Sequence, residues 1–210
     1  MLVCSGHTAP QGYEMPFGIN IRTVARVGLD NELHKLFKRL KPGIVLDAGS
    51  RDSPYKKYIS HTKYMRLDID EKNNPDICCD VHEIKWHSDY FDTVIATEVL
   101  EHLHTPQNAV DEIRRVLKSG GVCIASVPFI YPYHGAPKDY YRFTPDSLAN
   151  MFKNFKKVEI IPHGNRLQVV WQMISLGKLR LLFDVFSPLI AKIFHADVMF
   201  AIGFIIYAEK

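Results

Sequence analysis

The stretch Ile44-Val-Leu-Asp-Ala-Gly-Ser-Arg-Asp-Ser-Pro-Tyr55 decides how the rest of the chain is read. Its first three positions are apolar and lead to an acid, as in a strand buried on both faces of a parallel sheet. It then turns through a single glycine, Gly49. A pyrophosphate cradle needs further glycines, so that the backbone can approach the phosphates and the next helix can pack closely. Those places hold Ser50, Arg51, Asp52 and Ser53. Arg51 and Asp52 are bulky, and Asp52 repels phosphate. No Lys-Ser/Thr pair makes a phosphate-binding loop. The stretch suits a nucleoside ligand without phosphates better than a dinucleotide, which argues against a nicotinamide oxidoreductase.

Working outward, strands and helices alternate. Leu33, Leu36, Phe37 and Leu40 form a helical stripe, with Asp30 expected as its cap. Lys41, Pro42 and Gly43 end that helix. Ser53-Pro54 predicts a cap and first helical position. "YMRLDID" predicts a second strand and "FDTVIATE" another. Thr105-Pro106 opens a helix with Ala109, Val110, Ile113, Val116 and Leu117 inward, and "KSGG" is expected to close it. "GVCIASVPF" follows as a strand, Thr144-Pro145 starts a helix through Phe155, and "KKVEIIPHG" and "FAIGFIIYAEK" predict two closing strands. This order implies an open α/β sheet, whose ligands sit at the carboxyl ends of the strands. Asp47, Asp68, Asp80, Thr97, Glu98 and Ser126 all fall at such ends. Asp68, about twenty residues past the first loop, is placed to accept from ribose hydroxyls.

Composition bounds the reading. The chain has 210 residues, 47% hydrophobic and 23% charged, with net charge +3. That is the balance of one globular domain, and the charge is too small to argue for nucleic acid. Cys4, Cys78, Cys79 and Cys123 form no C-x-x-C pair and read as free thiols of a cytoplasmic protein. The N-terminus lacks the pattern of a secretory signal. The apolar runs Leu167–Gly177 and Val198–Ala208 fall short of the roughly 20 residues that a membrane span needs. The stretch from Arg166 to Phe194 carries Phe183, Phe186, Ile190 and Phe194 at helical steps. It reads as packing on the sheet or at a homodimer contact, with a weak peripheral membrane contact as the sharper alternative.

"VLDAGSRDSPY", "MRLDID", "PDICCDVHEI", "FDTVIATEVLEHLHTPQNAVDEIRRVLKSGG" and "VCIASVPF" occur in this order. Together they resemble the class I S-adenosylmethionine-dependent methyltransferases, from Leu46 to about Phe155. The resemblance is to the small-molecule branch, with quinone-pathway and polysaccharide-cluster members. "PYHGAPKDYYRFTP" resembles the loop of the polysaccharide-associated ones. It implies a Rossmann-like, doubly wound α/β fold. The expected sheet has seven mostly parallel strands, an antiparallel C-terminal strand and helices on both faces. The whole of 1–210 is expected to be one methyltransferase domain, with 1–29 an arm or lid and 166–197 an apolar helical insertion.

The resemblance implies S-adenosylmethionine as cofactor and S-adenosylhomocysteine as product. Asp47, Ala48 and Gly49 match the motif along the methionine part, with Ser50 and Arg51 continuing it. Asp68, followed by Ile69, matches the acid that holds the ribose. Asp80 and Val81 match the pair beside the adenine, and Thr97 and Glu98 the strand end under the sulfonium. The usual second and third glycines are Arg51 and Ser53. Arg51 either pairs with the cofactor's carboxylate or points to solvent.

The acceptor is expected against the loop after the fifth strand. There His134 and Tyr141 are the catalytic candidates, His134 first as a base near neutrality. Tyr131, Tyr133, Asp139, Tyr140 and Arg142 are the substrate-binding candidates. "EHLH" offers Glu101, His102 and His104, but adjacent positions on a helix face apart, so no metal site is expected. The implied function is methyl transfer to a small-molecule or glycan acceptor. The alternative is a non-catalytic cofactor- or partner-binding module on the same fold.

Overall fold

The computed structural model describes residues 12–14, 20–22, 24–135, 137–174, 189 and 196–210. The core is a seven-stranded sheet with order β5-β4-β3-β6-β7-β9-β8. Its strands are β3 (Ile44–Ala48), β4 (Lys63–Asp68), β5 (Ile77–Cys78), β6 (Phe91–Thr97), β7 (Leu117–Pro128), β8 (Lys157–His163) and β9 (Gly203–Glu209). The pairs from β5 to β7 are parallel, and β9 runs antiparallel to both its neighbours. A small separate hairpin pairs β1 (Gly12–Glu14) with β2 (Asn20–Arg22). The expected sheet is the one observed.

Side-chain alternation explains why the strands read as unbroken apolar runs. Val45, Ile95, Ile124 and Ile205 face α1 (Val24–Phe37), through Leu29, Leu33, Leu36 and Phe37. Their neighbours Leu46, Val94, Cys123 and Ile206 face the other way. That second layer holds Ala109, Val110, Ile113 and Val116 of α2 (Pro106–Val116) and Leu148 of α3 (Pro145–Met151). Both faces are covered, so both sets of positions are apolar. The sheet reverses winding between β3 and β6, which opens a crevice at their carboxyl ends.

Three local expectations are corrected. Asp30 is no cap: α1 starts at Val24 and carries Asp30 buried in its interior, where Tyr55 Oη donates to it at 2.8 Å. A partner 25 positions away competes successfully with the local cap. Ser53-Pro54 opens no α-helix, only a 3₁₀ turn at Lys56–Tyr58. "KSGG" does not close α2, which ends at Val116 and passes straight into β7. The glycines instead form a bulge, since Leu117 pairs with Phe91 but Val122 with Thr93. Gly120, at φ +75°, donates to the Lys210 carbonyl there.

Helix α4 spans Arg166–Ile174. Cys4, Phe183, Phe186, Ile190 and Phe194 lie outside the described residues. Among the described residues no helix is long and apolar enough to cross a membrane. Cys78, Cys79 and Cys123 are free.

Candidate active site

A cavity of about 700 Å³ occupies the crevice. Its size is that of a small-ligand site. Two loops build its opposite walls.

The first wall is the turn after β3. Gly49 sits at φ +69°, and a Cβ there would lie 2.6 Å from Val99 Cγ2. The amides of Gly49 and Ser50 donate to the Leu67 carbonyl at 2.8 and 3.1 Å. Arg51 and Ser53, which stand where glycines are usual, have φ of +42° and +51°. The chain therefore keeps the left-handed backbone with residues that adopt it reluctantly. Asp68 stabilises this turn: its carboxylate accepts from the amides of Arg51 (3.0 Å) and Asp70 (2.9 Å). Asp47 is buried beneath the turn and accepts from Tyr64 Oη at 2.7 Å. Burial pushes its carboxyl up to about 6.

Asp80 accepts from the amide of His82 at 2.8 Å and stands 2.6 Å from its Nδ1. Burial raises the Asp80 carboxyl, but the contacts with His82 outweigh it and hold it below the ordinary range. Glu98 directly follows β6, at φ +55°. Its carboxylate accepts from Ser126 Oγ at 2.8 Å, and burial raises it.

The second wall is the loop after β7. Arg142 forks onto Asp139 at 2.5 and 2.6 Å and also donates to the carbonyls of Tyr131 and Pro132. Asp139 in turn accepts from the His134 amide at 3.2 Å and lies 3.1 Å from His134 Nδ1. Bonding to Asp139 raises the Arg142 guanidinium.

Of the candidate residues, Asp47, Gly49, Ser50, Arg51, Asp68, Ile69, Asp80, Val81, Thr97 and Glu98 line the cavity, as do Tyr131, His134 and Tyr140. Ala48 is buried in the sheet instead. Tyr133 is 74% exposed and off the wall. Asp139 and Arg142 stand behind the wall and act on the loop. Tyr141 also stands off it, with its hydroxyl donating to the His104 carbonyl at 3.0 Å and its ring stacked on Phe143.

Arg26, His82, His104 and His163 line the cavity without having been singled out as binding residues. Arg26 comes from α1 and His163 from β8, so no local pattern ties them to the site. Burial drives His163 down to about 3. The reading of Glu101 and His102 as facing apart is corrected. They sit on a 3₁₀ turn, Leu100–His102, with His102 Nε2 3.6 Å from Glu101 Oε1. Donor atoms of Glu101, His102 and His134 all lie within 4.8 Å of one another. Glu101 is fully buried, and its carboxyl is held well above the ordinary range, first by burial and then by Glu98.

This is the doubly wound fold of methyltransferases, and residues 51–125 match the family model described as a methyltransferase domain. A search of curated proteins finds no match. Similar solved structures include a SAM-dependent methyltransferase from Archaeoglobus fulgidus, at 13% identity over 90% of this chain and 95% of that one, with TM-score 0.58. Another is Burkholderia thailandensis 1,6-didemethyltoxoflavin-N1-methyltransferase with bound 1,6-didemethyltoxoflavin and S-adenosylhomocysteine. It shows 17% identity over 89% and 77% of the two chains, with TM-score 0.52. Haemonchus contortus phosphoethanolamine N-methyltransferase 2 in complex with S-adenosyl-L-methionine shows 13% identity over 86% of this chain and 51% of that one, with TM-score 0.56.

The chain thus carries a methyltransferase-domain match over residues 51–125 on a fold shared with S-adenosylmethionine-dependent methyltransferases, and S-adenosylmethionine is the cofactor which that likeness implies. The first wall fits that group. Gly49 leaves its backbone uncovered where a Cβ would meet Val99, and carboxylates stand at three successive strand ends facing the cavity.

Proposed function

We propose that the protein methylates a small-molecule or glycan acceptor held against the loop Tyr131–Arg142. The carrying observation is that one continuous cavity joins the carboxylate-lined strand ends to Tyr131, His134 and Tyr140. In this reading Asp47 and Gly49–Arg51 lie along the methionine part of the cofactor, with Ala48 supporting them from the sheet. Asp68 and Ile69 receive the ribose, Asp80 and Val81 flank the adenine, and Thr97 and Glu98 lie under the sulfonium. The bound cofactor supplies an already activated methyl group. The protein's share is to align the acceptor and exclude water. Tyr131 and Tyr140 offer ring faces and hydroxyls to the acceptor. Asp139 occupies His134 Nδ1, so that Nε2 is left to take a proton from an acceptor hydroxyl.

The whole chain acts as one domain in this reading. The free thiols among the described residues, Cys78, Cys79 and Cys123, support a cytoplasmic setting.

Calorimetric titration with S-adenosylhomocysteine, with NAD as control, tests the cofactor half. Incubating methyl-labelled S-adenosylmethionine with metabolite and glycan fractions tests the other. Label in a small molecule or glycan is expected. Tight S-adenosylhomocysteine binding with no labelled product in any fraction would favour a non-catalytic binding module.

A further inference from the structure

We propose that Glu101, His102 and His134 form a binding site for a divalent first-row transition ion at the acceptor end of the cavity. One donor atom from each lies within 4.8 Å of the others. The 3.6 Å between His102 Nε2 and Glu101 Oε1 is close to the edge of a tetrahedron with bonds of about 2.1 Å, which is roughly 3.4 Å. Two imidazoles and one carboxylate are a donor set for Zn²⁺, Co²⁺ or Fe²⁺, not for Mg²⁺ or Ca²⁺.

A second observation points the same way. Glu101 is fully buried, and neither carboxylate oxygen has a hydrogen-bond partner among the described residues. A buried carboxylate left so is costly, and a cation removes the cost. The local charge agrees. Glu98 and Asp139 add two carboxylates beside Glu101, and Arg142 supplies one guanidinium. Arg26, which also acts on Glu98, is paired with Asp30 at 3.4 Å. With the carboxylates ionised, two negative charges remain for a divalent ion to balance.

The imidazoles are already oriented for it. Nδ1 of His102 faces the Lys138 carbonyl at 2.9 Å, and Nδ1 of His134 faces Asp139 at 3.1 Å. A proton on each Nδ1 leaves the Nε2 lone pair free. Metal-bound histidines are held in this way by carbonyl and carboxylate partners. Arg142 fixes Asp139 from behind, which gives that ion pair a positioning role. His102 and His134 line the cavity, so the open coordination positions face the acceptor. Resting on the proposed methyl transfer, the ion would bind the acceptor's hydroxyl oxygen and lower its pKa. His134 would then serve as ligand in place of base: the acidified hydroxyl would give its proton to solvent, and its oxygen would take the methyl as the methyl–sulfur bond breaks and S-adenosylhomocysteine leaves.

The test is titration of the full chain with Co²⁺, followed by its visible absorption, with Zn²⁺ as competitor. One Co²⁺ per chain, displaced by Zn²⁺, is expected. His102→Ala and His134→Ala, both at partly exposed positions, should each weaken binding more than tenfold at unchanged circular dichroism. Asp139→Asn should weaken it about 10–100-fold. No binding to the wild type, or equal binding to the His102→Ala/His134→Ala double variant, overturns the site. S-adenosylhomocysteine titration of the same samples separates the two readings. Co²⁺ bound at these residues without S-adenosylhomocysteine binding would keep the metal site and remove the methyl-transfer reading. The reverse result would remove the metal site alone.

Discussion

The two walls of the cavity are built by different means. The turn after β3 is shaped by its own backbone: a glycine pressed on Val99, two residues at positive φ, and amides bonded to Leu67 and Asp68. The loop after β7 has no such regularity. It is held by side chains, with Arg142 gripping Asp139 and the carbonyls of Tyr131, Pro132 and Tyr141, and Asp139 gripping His134. The first wall can present the same surface with many sequences, provided the turn survives. The second changes its surface whenever a side chain changes, as suits the half of the site proposed to select an acceptor.

The largest effect should come from attacking the backbone wall. In Gly49→Val a side chain must enter left-handed φ and meet Val99 at once. Left-handed strain and overpacking together should cost about 2–4 kcal/mol, measurable by denaturant unfolding. Adding Val99→Ala removes the collision but not the strain, so partial recovery is expected. A stable Gly49→Val protein with normal S-adenosylhomocysteine affinity would show that the turn is not needed.

Asp68→Asn comes next. The carboxylate accepts from two backbone amides and faces the cavity. Asparagine keeps one carbonyl oxygen but loses the charge. S-adenosylhomocysteine affinity should fall by about 1.5–3 kcal/mol, the worth of charge-assisted bonds. An unchanged calorimetric affinity in folded protein would leave Asp68 with only its turn-holding part.

Two buried groups that line the cavity carry opposite pKa shifts. Asp47, under the first wall, has its folded value raised to about 6 by burial, against about 3.9 unfolded. Its contribution is fully present below about pH 3.9 and lost as pH rises through 6. His163, at the end of β8, is lowered to about 3, against about 6.5 unfolded. Its contribution is present above about 6.5 and lost as pH falls toward 3. Between about pH 4 and 6 the two slopes oppose each other. His163→Leu should uncover the Asp47 slope, so that stability falls with rising pH by up to about 1.4 kcal/mol per unit more than in wild type. Parallel profiles from urea melts across that window would mean His163 is not held neutral.

What the sequence made legible follows the same division. Buried strands and the α2 stripe of Ala109, Val110, Ile113 and Val116 are periodic, and periodicity survives without knowledge of neighbours. The β3 turn and the strand-end acids are local motifs. The place of Asp30 is not legible locally, because its partner, Tyr55, lies on another element. Local spacing puts Glu101 and His102 on an α-helix, whereas a 3₁₀ turn brings them together and His134 arrives from 32 positions away. Tyr141 sits in the right loop, but nothing in its neighbours says that its hydroxyl turns to the His104 carbonyl.

Tyr141→Phe therefore sharpens the side-chain wall. The variant loses one partly exposed hydrogen bond, for about 0.5–1.5 kcal/mol of stability. Turnover should stay near wild type, while His134→Phe should reduce it sharply at nearly constant S-adenosylhomocysteine affinity. Should Tyr141→Phe instead lose turnover at unchanged stability, the hydroxyl would belong with the acceptor.

The smallest effect should come from restoring the glycines. Arg51→Gly and Ser53→Gly each relieve a residue held at positive φ, a gain of about 1 kcal/mol. Glycine also widens the unfolded ensemble, which costs about 0.4–1 kcal/mol. The two nearly cancel, so unfolding midpoints should move little. Affinity is where the two variants should part. Ser53 is buried below the turn, whereas Arg51 is exposed at the mouth of the cavity, with its amide bonded to Asp68. If its guanidinium pairs with the cofactor's carboxylate, Arg51→Gly should weaken S-adenosylhomocysteine binding about tenfold, the order of one charge-assisted bond. Ser53→Gly should then leave binding unchanged. Equal affinities in both variants would put the Arg51 side chain in solvent and make the turn's contribution wholly that of its backbone.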